Sequence, residues 1–139
     1  MSQKIAITAL ASLSALGNSK KEIWENYVTS KTLITRKQIG NKSVWVASLS
    51  EELKKEIQKI QESDIKYKGL DNSVLYAIYV SRQAMKQANW STKDIFGINI
   101  GSSRGATELF EKYHAEFVAT NRVSPLASQP TTLGNIYRW

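Results

Sequence analysis

Cysteine is absent from this chain of 139 residues, and histidine occurs only once, at His114. A zinc site needs several Cys or His ligands, so we expect no metal site. Catalysis by a paired cysteine and histidine is impossible within these residues. A lone histidine in a helical pattern is usually a surface residue or one with a satisfied hydrogen bond. We therefore do not assign His114 as a catalytic base.

Long apolar runs are also missing. No segment reaches the ~18 consecutive apolar residues that suggest a membrane-spanning helix, so we expect no segment that spans a membrane. We assign no membrane partner. The opening segment, MSQKIAITALASLSALG, loosely imitates a secretory signal. However, Thr8, Ser12 and Ser14 interrupt its apolar stretch, and Lys4 supplies its only charge. We therefore interpret Ile5 to Leu10 as a buried strand.

Basic residues outnumber acidic ones, with 19 Lys and Arg against 12 Asp and Glu, which gives a formal net charge of +7. Such a charge favours an acidic partner, whether nucleic acid, an anionic membrane or an acidic protein surface. A solvated lysine-rich surface explains the charge equally well. Aromatic and basic residues are not interleaved and no nucleic-acid-binding motif is present, so we expect no nucleic-acid partner.

The chain is long enough for one compact domain, residues 1–139, with a single core. Apolar periodicity and cap residues predict, in chain order, a strand at Ile5–Leu10, a helix from Ser19, a hairpin of residues 32–35 and 44–47, a helix from Ser48, a helix from Asp71, a strand at Ile95–Ile100 and a helix at Thr107–Val118. Ser19 with Glu22, and Ser48 with Glu51, have the spacing of a capping box. Gly40-Asn41 suits the tight turn of the hairpin.

Strands connected by helices suggest right-handed crossovers and a parallel sheet. Only two segments, Ile5–Leu10 and Ile95–Ile100, have the character of central strands. A parallel sheet needs more strands than two and a cover on both faces. The sequence therefore predicts an α/β fold that is incomplete.

The segment GSSRG, Gly101 to Gly105, joins the second of these strands to the last helix. It matches neither the dinucleotide-binding fingerprint nor the P-loop. We interpret it as a tight corner. Phosphate binding by the N-terminus of the following helix, assisted by Arg104, remains an alternative.

Four segments in order resemble the β-ketoacyl-[acyl carrier protein] synthases: ITALASLSALGNSKKEIW, LDNSVLYAIYVSRQAMKQANW, INIGSSRGATELFEKY and SPLASQPTTLGNI. They are similar to that family's opening strand and helix, its long helix, its second core strand with the glycine turn, and the loop toward the dimer interface. Ala15 stands where the family usually has proline. The resemblance extends from Lys4 to Ile136, and its specificity comes from the order and spacing of the four segments.

The resemblance implies the thiolase fold, of which this chain would form a partial, incomplete version: the N-terminal part of one parallel-sheet α/β half. It implies acyl-chain elongation by decarboxylative Claisen condensation, of fatty acid or polyketide type, in the cytoplasm and without a cofactor. The family's reactive cysteine and two histidines come later in the chain, beyond the TTLGNI region. We therefore expect a fragment truncated before the catalytic cysteine and inactive alone.

The resemblance also suggests roles for particular residues. Ser103, Arg104 and Gly105 would form the turn at the acyl pocket. Lys66 and Lys68 would dock acyl carrier protein, although Gly69 replaces an adjacent basic residue of the family and a solvated loop explains both lysines as well. The last group would contact the partner subunit of a homodimer or the remainder of the synthase. It comprises Thr131, Thr132, Leu133 and Asn135.

Two other functions stay open on the residues alone. One is a non-catalytic basic module that binds an acidic carrier protein. The other is a small nucleotide-binding α/β domain, for which the expected glycine fingerprint is lacking.

Overall fold

A computed structural model describes residues 5–91 and 93–127 of the chain. The elements are, in order, α1 Lys20–Val28, β1 Thr35–Ile39, β2 Lys42–Val46, α2 Glu51–Ser63, a 3-10 turn at Ile65–Tyr67, α3 Asn72–Ala88 and α4 Thr107–Thr120. The fold is mixed α/β, and within the described ranges its sheet contains two strands. No helix in those ranges combines the length and the apolar character needed to cross a membrane.

The hairpin confirms the turn predicted at Gly40-Asn41. Strands β1 and β2 pair in antiparallel register, with Ile39 opposite Lys42 on either side of the turn. Gly40 has a φ of 58°, a left-handed conformation that glycine adopts without steric cost. The strands lie closer to the turn than predicted. The sequence of β1, TRKQI, has no apolar alternation that would mark it as a strand, and all of its residues are exposed.

Helix α1 begins where Ser19 predicts. The Ser19 hydroxyl accepts the Glu22 amide at 3.2 Å, but the Glu22 carboxylate accepts the amide of Asn18 instead of the amide of Ser19. Helix α2 begins two residues later than predicted. Its cap is Ser50, whose hydroxyl accepts the amide of Leu53 at 3.3 Å, so the assignment of Ser48 as the cap was wrong.

The core lies between α2, the 3-10 turn and α3. It consists of Leu53, Ile57, Tyr67, Leu70, Val74, Leu75, Ile78 and Tyr79. Leu53 and Ile57 lie one turn apart on the face of α2 toward α3. Val74 and Leu75 are the most deeply buried, at 0% and 1% exposure. Burying a side chain of this size contributes roughly 1.5–3 kcal/mol, so α3 dominates the core.

Helix α3 begins where the sequence predicts. Asp71 is its N-cap, and Asn89 closes it in a left-handed conformation at φ 56°. The Trp90 amide then donates to the Met85 carbonyl at 3.0 Å. Asparagine tolerates this conformation better than other non-glycine residues, which explains why the helix stops before Trp90.

The two predicted central strands are not strands in this structure. Ile5–Leu10 and Ile95–Ile100 pair with no other strand within the described ranges, which corrects the prediction of a parallel sheet. Ile5 is 95% exposed and Ile95 is fully exposed. A parallel strand is stable when neighbours pair with its backbone and both faces are covered. The described residues supply neither condition.

Candidate functional site

The glycine turn lies at the start of α4. Gly105 is buried with a φ of 65°, and its amide donates to the Ser102 hydroxyl at 2.9 Å. A side chain with a Cβ is strained at this φ, so glycine permits the corner that the sequence predicts. Ser103 and Arg104 are exposed on the outside of the turn. Within the described residues, Arg104 forms no ion pair.

Asp71 caps two helices with one carboxylate. Its Oδ1 accepts the amide of Ser73 at 2.8 Å and the hydroxyl of Ser73 at 2.7 Å, which closes the N-terminus of α3. Its Oδ2 accepts the amide of Leu109 at 3.2 Å, in the first turn of α4. Ala106, the residue before α4, supplies no side-chain cap of its own. A residue 38 positions away in sequence therefore provides the cap of α4.

The Asp71 carboxylate argues against phosphate binding at the N-terminus of α4. A bound phosphate needs the unpaired amides of the first turn. The Leu109 amide already donates to Asp71, and the Thr107 amide donates to the Gly105 carbonyl at 3.0 Å. A carboxylate at this position also repels a second anion. These contacts disfavour an anion at the turn and agree with our interpretation of it as a tight corner.

Two further contacts join the same elements. The Asn72 amide group donates to the Glu108 carboxylate at 3.1 Å. The Ser73 hydroxyl oxygen lies 3.3 Å from the Gly105 carbonyl. Because that hydroxyl has one proton and Asp71 accepts it at the shorter distance, the contact with Gly105 is the weaker of the two. Together these contacts hold the glycine turn against the N-terminus of α3.

The basic loop, defined as residues Ile65 to Leu70, immediately precedes Asp71. Asp64 caps its 3-10 turn by accepting the Lys66 amide at 3.0 Å, and this hydrogen bond holds the pKa of the Asp64 carboxyl below its usual value. The Lys66 ammonium lies 3.4 Å from the same carboxylate and 5.1 Å from the Tyr67 ring centroid. Lys68 is exposed and forms no ion pair within the described residues.

Arg82 is a third cation beside the basic loop that the sequence did not single out. Its guanidinium donates to the Tyr67 hydroxyl at 3.1 Å and lies 5.5 Å from the centroid of the Tyr67 ring. The residue lies 15 positions from Tyr67 along the chain. Only the packing of α3 against the 3-10 turn brings the two together. No sequence signal indicated that Tyr67 is its neighbour.

The other candidate residues do not form a site. The segment with Thr131, Thr132, Leu133 and Asn135 lies outside the described residues. His114 is exposed and its ring stacks near that of Phe110, with centroids 6.2 Å apart. In the part of the chain that the structure describes, no three Cys, His, Asp or Glu side chains come close enough to hold a metal ion.

Comparison with known proteins identifies a family. The family model described as the β-ketoacyl synthase N-terminal domain matches residues 2–137 of this chain. A 3-oxoacyl-[acyl-carrier-protein] synthase 2 from Staphylococcus aureus strain COL is 30% identical over 129 residues, which cover 88% of this chain and 31% of the relative. The corresponding protein of strain MRSA252 is 32% identical over 128 residues, again 88% of this chain and 31% of the relative.

A more distant relative has a related description. It is 3-oxoacyl-[acyl-carrier-protein] synthase 1 from Buchnera aphidicola subsp. Schizaphis graminum, 27% identical over 135 residues that cover 88% of this chain and 32% of the relative. The chain thus spans about a third of the length of these curated relatives. The family match extends over nearly all of its residues, so the chain belongs to the β-ketoacyl synthase N-terminal domain family.

Proposed function

We propose that this chain is the N-terminal portion of a 3-oxoacyl-[acyl-carrier-protein] synthase and that it supplies scaffold and a carrier-binding surface, but no catalytic group, to acyl-chain elongation. The observation that carries the proposal is the family match over residues 2–137 in a chain that contains no cysteine. Acyl transfer from a thioester in this family proceeds through a cysteine thiolate, the reactive form of that side chain. Without it, the decarboxylative condensation has no acyl acceptor here.

The exposed isoleucines support an incomplete thiolase-like half. Ile5, Ile7, Ile95 and Ile98 are apolar side chains left in water, and each exposed side chain of this size forgoes roughly 1.5–3 kcal/mol of burial. They belong to the two segments with the sequence of central strands. We propose that these segments become parallel strands when further polypeptide of the synthase covers them.

We propose that acyl carrier protein docks on the basic loop through Lys66 and Lys68, with Arg82 beside them. Carrier proteins are acidic, and opposite charge accelerates and orients such an encounter. Lys68 is the stronger candidate because Lys66 already lies 3.4 Å from the Asp64 carboxylate. We also propose that Ser103, Arg104 and Gly105 border the acyl pocket, and that the segment Thr131 to Asn135 contacts the partner subunit or the remainder of the synthase.

A binding experiment tests the docking surface. The double variant Lys66→Glu/Lys68→Glu should bind carrier protein at least ~10-fold more weakly than the unmodified chain at low salt, and the difference should shrink as salt screens the charges. The matched control is Lys55→Glu/Lys59→Glu, which makes the same charge change on the exposed face of α2. Equal weakening by both variants would assign binding to net charge alone and would reject the loop as the docking site.

An activity assay tests the absence of catalysis. The chain alone, mixed with acyl- and malonyl-carrier protein, should neither release carbon dioxide from the malonyl group nor become acylated. Mass spectrometry of the intact chain detects a covalent acyl group directly. Turnover or acylation by the isolated chain would overturn the proposal, because the sequence contains no cysteine to accept the acyl group.

A further inference from the structure

The Asp71 carboxylate joins two regions that the proposed function treats separately. It lies at the end of the basic loop, one residue after Leu70, and it reaches the first turn of α4, which follows the glycine turn. The side chain is among the few buried polar groups of the described chain, with 5% of the residue exposed. It accepts three hydrogen bonds, two from Ser73 and one from Leu109.

We propose that Asp71 is a positioning residue that fixes the glycine turn, Ser102 to Gly105, relative to the basic loop. If the proposed function holds, a carrier protein on the loop and an acyl chain at the turn are thereby held in a fixed relation to each other. The linkage itself needs no partner, because all of its contacts lie within this chain.

Asp71 can fix the turn relative to the loop because its two carboxylate oxygens bind different helices. Oδ1 serves α3 and Oδ2 serves α4, so neither oxygen can substitute for the other without releasing one helix. Hydrogen bonds to a charged acceptor are stronger than those between neutral groups. The first turn of α4 has no side-chain cap of its own, so its conformation depends on this distant oxygen.

The Asn72 and Ser73 contacts restrict the same junction but cannot replace the carboxylate. The Asn72 amide group reaches an exposed carboxylate, Glu108, for which water competes. The weak Ser73 contact with the Gly105 carbonyl is secondary to the bond from the same hydroxyl to Asp71. The stronger bond therefore also keeps Ser73 in place beside the turn.

An isosteric variant separates the two roles. In Asp71→Asn, the remaining carbonyl oxygen can still cap α3, since asparagine is as good an N-cap as aspartate. The amide nitrogen of the new side chain then faces the Leu109 amide, and a donor cannot accept from a donor. The variant should keep α3 and release the turn and the start of α4.

Site-resolved amide hydrogen exchange on the full chain in dilute solution measures this separation. In Asp71→Asn, exchange at Leu109 should accelerate about 10-fold, the size expected for loss of a hydrogen bond to a charged group, while exchange at Ser73 should change less than about 2-fold. Global destabilisation would accelerate both amides equally and would overturn the proposal, as would no change at Leu109. The matched control is Asp94→Asn, whose carboxylate, among the residues that the structure describes, accepts hydrogen bonds from the nearby Ser91 alone.

The unmodified chain provides a test that does not depend on the variant folding. If Asp71 links the two helix starts, the amides of Ser73 and Leu109 should open together and show the same dependence on low concentrations of denaturant. Independent openings with different denaturant dependence would contradict the linkage.

A carrier-protein arm distinguishes failure of this inference from failure of the proposed function. In the unmodified chain, added carrier protein should slow exchange at the basic loop and also at residues 102–109, whereas in Asp71→Asn it should slow exchange at the loop alone. If carrier protein slows exchange in the unmodified chain at the basic loop but not at residues 102–109, the positioning role is wrong. No slowing anywhere would reject carrier docking, and the partner-free measurements would still decide the role of Asp71.

Discussion

The Tyr79 hydroxyl donates a hydrogen bond to the Glu56 carboxylate at 2.6 Å, joining α3 to α2. The same oxygen accepts a hydrogen bond from the Asn18 side chain, which belongs to the loop before α1. Tyr79 is buried and Glu56 is exposed, so the contact lies where the core meets solvent. This one hydroxyl therefore connects three parts of the chain that are far apart in sequence.

Tyr79→Phe should lower the free energy of unfolding by about 2 kcal/mol, because it removes the hydrogen bonds with Glu56 and Asn18 while keeping the buried ring. Urea denaturation followed by far-ultraviolet circular dichroism measures the change. Tyr76→Phe is the control, since Tyr76 lies on the same helix, is exposed, and its hydroxyl makes no hydrogen bond within the described residues. Equal effects of the two substitutions would show that the Tyr79 contacts do not stabilise the fold.

Because of Tyr79, we expect the stability of the fold to depend on pH in alkaline solution. Burial, and secondly the hydrogen bond to Glu56, raises the pKa of Tyr79 above the ordinary tyrosine value of about 10. A raised folded pKa means that the folded state favours the protonated hydroxyl. Its contribution to stability is complete below the unfolded pKa and is lost as the pH rises through the folded pKa.

Absorbance of tyrosinate during an alkaline titration checks this expectation. One of the six tyrosines of the chain should ionise at higher pH than the others, and Tyr79→Phe should remove that late component. The unmodified chain should also lose stability more steeply above about pH 10 than the variant. A uniform titration of all tyrosines in the folded chain would refute the assignment.

Replacing exposed isoleucines with lysine should reduce aggregation with little change in the free energy of unfolding. The double variant Ile7→Lys/Ile95→Lys should aggregate less, measured by light scattering, because it removes apolar side chains that lie in water. Its free energy of unfolding should change by less than about 0.5 kcal/mol, as is usual at surface positions. Ile78→Lys, in the core, should unfold the chain. A large loss of stability in the double variant would mean that Ile7 and Ile95 are buried in solution.

Arg104 provides a test of the proposed acyl pocket in the complete synthase. Its guanidinium is exposed in this structure, and burying it unpaired beside an alkyl chain would be costly. If it points outward there too, Arg104→Ile should leave acyl-chain preference unchanged, measured as the ratio of kcat/KM for short and long acyl groups. Arg122→Ile, after α4, controls for the loss of one surface charge. A shift in preference with Arg104→Ile alone would place the side chain at the pocket wall.

Local chemistry made several features predictable from the sequence. Asp71 and Asn89 mark the ends of α3 because their side chains favour the N-cap and the left-handed C-cap. Gly40-Asn41 marks the hairpin for a similar reason. Leu53 and Ile57, the buried residues of α2, have the spacing of one helical face. Each signal depends on residues within one or two turns of the chain.

Other features depended on distant residues and were not predictable. Ile5–Leu10 and Ile95–Ile100 have strand-like composition, but a strand also requires a neighbour, and within the described ranges neither has one. The error at Ser48 was local instead: Ser48 has the spacing of a cap, but in the structure the Ser50 hydroxyl accepts the Leu53 amide and caps the helix. The positions of short-range caps can differ by two residues when two serines compete.

The sequence by itself determined the family, the absence of a reactive thiol and the positions of most helices, because these follow from residue identity, order and local spacing. Tertiary structure decided that Asp71 caps α4 as well as α3 and that Arg82 lies on Tyr67. Both contacts join residues more than a dozen positions apart, and only the packing of α3 against its neighbours sets those distances.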